Sequence, residues 1–247
     1  VEAEVFGSGV DFGTLTCEPK ITNEIYPSVK DVQYRKIDDI LSEGRIGSVC
    51  DAVSILSRKY GDFPVIASIT GPVSTAGSVV DPMTLLKELR RDKDDAHRFI
   101  DHVSDFLIAY ARRLIENGAS AIAIADPTAT GEILGPKFFE EYAVRYINRI
   151  ADAVSETGVP VIVHICGQLE AVKHLIPGIR AGAISTDALV NLDKLKKEYP
   201  TLVTMGNLST YLLESGTPEK IESNTERLIA SGIDIIAPAC GLSTSSP

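Results

Sequence analysis

The strongest constraint on this chain is a recurrence. A short run of β-branched or alanine residues is followed by a Gly/Pro/Asp-rich loop and then by an amphipathic stretch, several times over. Runs at 65–69, 121–125, 161–165, 183–186, 203–205 and 234–237 read as strands, with a weaker one near 5–12. Strands that are apolar throughout are covered on both faces, and a helix between successive strands makes them parallel. The pattern therefore predicts an α/β fold.

The helices carry their own boundaries. Asp81 precedes Pro82, Gly135 precedes Pro136 and Thr217 precedes Pro218, which places a proline at the first helical position each time. Over 96–117, Phe99, Val103, Phe106, Leu107, Tyr110, Leu114 and Ile115 recur at helical spacing, with Gly118 as the stop. Over 137–157, Phe139, Tyr142, Ala143, Tyr146, Ile147, Ile150 and Val154 do the same, ending at Gly158. Both stretches predict long core-facing helices.

Two architectures fit such an alternation. An open doubly wound sheet is disfavoured because no Gly-x-Gly-x-x-Gly turn follows a strand. A TIM (β/α)8 barrel of about 250 residues matches the 247 present. With no linker or shift in composition, residues 1–247 are expected to form one barrel domain. Residues 1–6 read as a strand already under way, as if the chain began in mid-protein. In a barrel, function lies at the C-terminal ends of the strands.

Charge and composition exclude several classes. Twenty-four basic against 34 acidic residues give a net charge of -10, which repels phosphate backbones, so no nucleic-acid partner is expected. No apolar run approaches the roughly 18 residues of a membrane helix. Four cysteines in a chain this long make no disulfide scaffold and suit a reducing, cytoplasmic setting.

The strand ends then supply the chemistry. His164 and Cys166 alternate along one run, so they point to the same side roughly 6 to 7 Å apart at Cα. Cys240 follows the last run, at the same end of another strand. One nitrogen and two sulfurs suit zinc with a fourth position left open. Cysteine is equally a small buried hydrophobe, and a strand-end histidine is often only hydrogen-bonded. Cys17, in a loop, and Cys50, in a helix over 47–59, read as structural.

Asp126, Asp187 and Asn207 also follow strands. A carboxylate there could orient a metal-bound histidine, fill the open position or bind substrate, and the same residues also cap helices and make turns. Thr70 and Gly71 form a tight loop that lines a pocket or merely turns. His97 and His102 share no helix face and are expected at the surface, as is His174. Serine-hydrolase elbows, Walker loops and His-Glu-x-x-His motifs are absent from the sequence.

Taken in order, Ser68-Ile69-Thr70-Gly71-Pro72, Ala125-Asp126-Pro127-Thr128-Ala129-Thr130-Gly131, His164-Ile165-Cys166-Gly167, Met205-Gly206-Asn207-Leu208 and Pro238-Ala239-Cys240-Gly241 form a recognisable set. They resemble the uroporphyrinogen decarboxylase superfamily. More closely they resemble its corrinoid-dependent branch, the methylcobalamin:coenzyme M methyltransferases of the methanol and methylamine pathways. The resemblance spans nearly the whole chain.

It implies zinc on His164, Cys166 and Cys240, catalytic roles for Asp187 and Asp126, and substrate contacts at Thr70, Gly71 and Asn207. It further implies a corrinoid (methylcobalamin) presented by a partner protein and a small thiol acceptor such as coenzyme M. Tetrahydrofolate as acceptor, or a metal-free decarboxylation of a porphyrinogen, are the competing activities. Family members are longer by about a quarter. The resemblance therefore also implies a barrel lacking its first strand and its last helix, which would begin near 242–247.

Overall fold

In the computed structural model, which describes residues 1–242, two antiparallel strands, β1 (Gly9–Asp11) and β2 (Lys20–Asn23), precede a parallel sheet. The sheet comprises β3 (Ile66–Thr70), β4 (Ala121–Ala125), β5 (Val161–Ile165), β6 (Ala183–Thr186) and β7 (Thr204–Met205), side by side in chain order. Sequential order without reversal is the winding of a barrel rather than of a doubly wound sheet. The result is a mixed α/β fold with a central parallel sheet, consistent with a modified TIM-barrel arrangement. Residues 243–247, part of the stretch where the closing helix is expected to begin, lie outside the described residues.

Register fixes what each face presents. Ile69, Ile124, Val163 and Ile184 pair across the sheet and are buried at or below 1% exposure, under the helices Lys93–Glu116 and Arg145–Ser155. The first of these helices turns Phe99, Val103, Phe106, Leu107, Tyr110 and Leu114 inward. Each such side chain stabilises the fold by roughly 1.5–3 kcal/mol relative to exposure. The other face carries a row running Thr70, Ala125, His164, Ser185, Met205 and Ile235. Three of its side chains, Thr70, Ala125 and Ser185, are small, and Thr70, Ala125 and His164 stay half-buried rather than covered.

Several expectations need correction. Residues Glu2–Phe6 form a helix, not a strand: the period-two pattern is also compatible with one helical turn, Glu2 and Glu4 favour its N-terminal end, and Ala3, Val5 and Phe6 are buried by it. The weak strand near 5–12 survives only as β1, paired to β2 and outside the parallel sheet.

The run at 234–237 forms no strand. One bridge, Met205 to Ile235, ties it to β7, and a second, Leu208 to Pro238, lies just beyond both. The helix expected over 137–157 starts just after non-helical Gly135, as the Gly135-Pro136 pair predicts, but runs as a π-helix over Phe139–Val144 before taking α geometry over Arg145–Ser155. Tyr142 and Tyr146, four residues apart, both face inward.

Two histidines expected at the surface are not there. His97 stacks on Tyr142 at 4.6 Å, with Nδ1 2.8 Å from the Tyr146 hydroxyl. His102 packs edge-on against Phe6 and Tyr34, and burial holds its pKa below the ordinary value. His174 is exposed as expected. No helix among the described residues is long and apolar enough to cross a membrane.

Candidate metal centre

β5 is the middle strand of the sheet, so its C-terminal end is flanked on both sides. His164 points from it to the small-residue face, and Cys166 follows one residue beyond the strand. Gly167 then takes a left-handed φ of +69°, and a Cβ there would lie 2.6 Å from the Glu132 carboxylate. Only glycine lets the chain turn away here while leaving Cys166 in place.

His164 Nε2 lies 3.2 Å from Cys166 Sγ, and its Nδ1 lies 3.0 Å from Ser185 Oγ. Cys240 completes the group: the three ligand atoms all fall within 4.8 Å of one another. His164 and Cys166 are half-buried, whereas Cys240 is exposed. Burial pushes the His164 pKa down, and the negative charge of Asp187 works against that. Burial, reinforced by neighbouring Cys240, pushes the Cys166 thiol up to about 12. Burial therefore favours the neutral imidazole, and the neutral thiol at Cys166.

Cys240 is brought in by a segment rather than a strand. The Ile235 N–H donates to Thr204 O (3.0 Å), Leu208 N–H to Ala237 O (3.0 Å) and Ala239 N–H to Leu208 O (2.8 Å). Asp234 fastens the start of the segment, accepting from Thr204 N–H (2.7 Å), Thr204 Oγ1 (2.9 Å) and Lys196 Nζ (2.8 Å).

The donor set fits a tetrahedral ion. Bonds of about 2.0–2.3 Å put zinc's ligands roughly 3.5–3.8 Å apart, so closing around an ion moves these atoms by on the order of an ångström. Among the described residues this is the one trio of His, Cys or acidic side chains close enough to share a metal. Cys17 and Cys50 lie apart from it, the first exposed and the second buried in the helix Ile46–Lys59.

The remaining predicted residues surround the trio without joining it. Asp187 accepts the Leu189 N–H at 2.9 Å, and its charge bears on both His164 and Cys166. Asn207 donates from Nδ2 to the carbonyls of Asp187 and Val190, each at 2.8 Å, tying the loops after β6 and β7 together. Asp126 is 2% exposed and accepts the N–H groups of Val73 (3.0 Å) and Ser74 (2.7 Å), at the start of the helix Pro72–Gly77. Burial raises its pKa against the pull of those bonds. Gly71 has no alternative to glycine, because a Cβ there would come within 2.4–2.6 Å of the Asp126 side chain. The Thr70 N–H donates to Glu2 Oε1 at 2.9 Å.

Nothing in the sequence alone marks Ser185, Glu2 or Asp234 as site residues. Ser185 is marked only by its place opposite His164, which register decides.

The sequence pattern of the uroporphyrinogen decarboxylase (URO-D) family matches residues 1–247. Methylcobamide:CoM methyltransferase MtbA of Methanosarcina acetivorans is 33% identical over 248 residues, which takes in all of this chain and 73% of that protein. MtbA of Methanosarcina mazei is 35% identical with the same coverage. A solved methyltransferase structure from Methanosarcina mazei superposes with a TM-score of 0.93 at 27% identity, covering all of this chain and 73% of that one.

Proposed function

The chain belongs to the uroporphyrinogen decarboxylase (URO-D) family, and from that premise we propose that it is a methyltransferase moving a methyl group between a corrinoid and a thiol acceptor. The relatives that share a third of its residues are methylcobamide:CoM methyltransferases. The observation that carries the reading is the convergence of His164, Cys166 and Cys240 at one point of the small-residue face.

Zinc is the ion this nitrogen-and-sulfur set suits, and when bound it would supply a Lewis acid that lowers the pKa of an acceptor thiol from about 8.5 toward neutrality. The protein's own groups prepare for that. His164 is kept uncharged by burial, and the two cysteines as thiolates balance a divalent charge. Asp187, whose charge bears on His164 and Cys166, takes up the acceptor's proton in this reading. Asp126 acts on the reaction through position, holding the Thr70-Gly71 loop beside the face where substrate arrives. Thr70, Gly71 and Asn207 frame that arrival.

The acceptor sulfur forms the new C–S bond as the Co–C bond breaks, and the bonding pair stays on cobalt. The corrinoid comes on a separate protein that docks over the strand ends, and coenzyme M is the acceptor favoured by the relatives' activity. We read the five-stranded sheet as an arc of a (β/α)8 barrel.

The test is anaerobic demethylation of methylcobalamin with coenzyme M or tetrahydrofolate as acceptor, alongside porphyrinogen turnover. Thiol-dependent loss of the methyl–cobalt absorbance is expected. Transfer to tetrahydrofolate with none to any thiol would overturn the acceptor, and porphyrinogen decarboxylation without bound metal would overturn the reaction.

A further inference from the structure

An imidazole that offers one nitrogen to a metal must keep its proton on the other, and a neighbouring group decides which tautomer is held. At His164 that neighbour is set by the sheet. Parallel pairing places His164 directly beside Ser185 on one side and Ala125 on the other. Alanine's methyl can neither donate nor accept. The Ser185 hydroxyl lies 3.0 Å from Nδ1, while Nε2 faces Cys166 Sγ at 3.2 Å. Ser185 is 5% exposed, so bulk water competes poorly for its hydroxyl.

We propose that Ser185 is the positioning residue of the metal centre: its oxygen accepts the Nδ1 proton of His164 and so turns the Nε2 lone pair toward Cys166 and Cys240. This rests on the metal-centred reading above. A hydroxyl suits the task better here than a carboxylate. Cys166, Cys240 and Asp187 already crowd negative or ionisable groups around the ring. A neutral acceptor orients the imidazole without adding charge. The other cross-strand neighbour, Ala125, provides only a methyl group, too little bulk to hold the ring in place of the hydrogen bond.

The test compares zinc affinity, by competition with a chromophoric chelator at fixed pH, in the unsubstituted chain, Ser185→Ala and Ser185→Thr. Ser185→Ala is expected to bind zinc about 10- to 100-fold more weakly, the usual effect of losing such a partner. Ser185→Thr, which keeps the hydroxyl, is expected to recover most of the loss. The thermal midpoint of the metal-free protein should stay the same in all three, and cobalt(II) should retain its thiolate charge-transfer bands.

Affinity in Ser185→Ala equal to the unsubstituted chain, or a Thr variant as weak as Ala, would overturn the assignment. So would a metal-free midpoint that falls in step with affinity. Failure of the unsubstituted chain to hold zinc overturns the metal reading and this inference together. Tight zinc binding without thiol methylation overturns the function and leaves Ser185 in its role.

Discussion

The metal centre joins two regions built in different ways. His164 lies in β5 and Cys166 directly follows it; the strand has a hydrogen-bonded strand on either edge and every residue but His164 buried. Cys240 ends a segment that belongs to no strand, and its neighbours Ile235 and Ile236 are more than a third exposed. The strand side is a template formed by the core. The segment side is held by a few main-chain bonds and by Asp234, and such regions open locally at lower free energy than core strands do. An ion between them would spend part of its binding energy on fastening the looser side.

The largest effect that separates the two sides comes from deleting a sulfur. Cys240→Ala should weaken metal retention by on the order of 10² to 10³, since about 10–16 kcal/mol of structural zinc binding is shared among a few ligands. Methyl transfer should fall with it. The metal-free thermal midpoint should not move, because Cys240 is exposed and packs against little. A drop in that midpoint would mean that the segment side belongs to the core after all.

Next in size is Asp126→Ala, which acts on the loops around the strand side. It removes the acceptor of two buried N–H groups. A loss of about 2–4 kcal/mol is expected in denaturant unfolding, with the zinc stoichiometry of the folded fraction unchanged.

Adding zinc to the metal-free protein tests the contrast directly. Hydrogen exchange at the Ile235, Leu208 and Ala239 amides, which bond across the segment, should slow by roughly 10- to 100-fold. The Val163 amide in β5 should change little. Equal protection at both places would erase the distinction.

The smallest effect is one of pH. Lys196, helped by the Thr204 N–H, holds the Asp234 carboxyl down at about 2, against an ordinary 3.8. A depressed carboxyl contributes stability that is complete above its unfolded pKa and is lost as pH falls toward the folded one. Between pH 4 and 2 the segment amides should therefore lose protection before those of β5. Asp234→Asn should abolish that particular pH dependence, as followed by exchange at Ile235.

The same contrast separates what the sequence discloses from what it conceals. His164 and Cys166 can be read directly, because alternation along a strand is a local rule and the strand is apolar and β-branched. Cys240 can be read as a partner only by the recurrence of a cysteine after another apolar run, and that run is not a strand. Its Asp234-Ile235-Ile236-Ala237 pattern has β propensity, yet it pairs with β7 by one bridge, Met205 to Ile235.

Ser185 is beyond local reading, since its meaning lies in which residue stands beside it across the sheet. Glu2–Phe6 misleads for the opposite reason: five residues suit either period, and packing decides. His97 likewise lies beside an apolar stripe, and two tyrosines from another helix bury it. Asp126 shows a residue type readable as catalyst or cap, and only its bonds to Val73 and Ser74 show what its carboxylate holds.

The fit of Asp126 against Gly71 bears on how such a loop can change over generations. Any side chain at position 71 collides with the carboxylate, and a residue at 126 too short to reach the Val73 and Ser74 amides leaves them stranded in a dry site. A Cβ at 71 would meet the Cβ of Asp126 as well as its carboxylate, so shortening residue 126 does not make room, and it strands the two amides whatever stands at 71. The two positions are locked to each other, so this corner beside the strand ends tolerates change at neither.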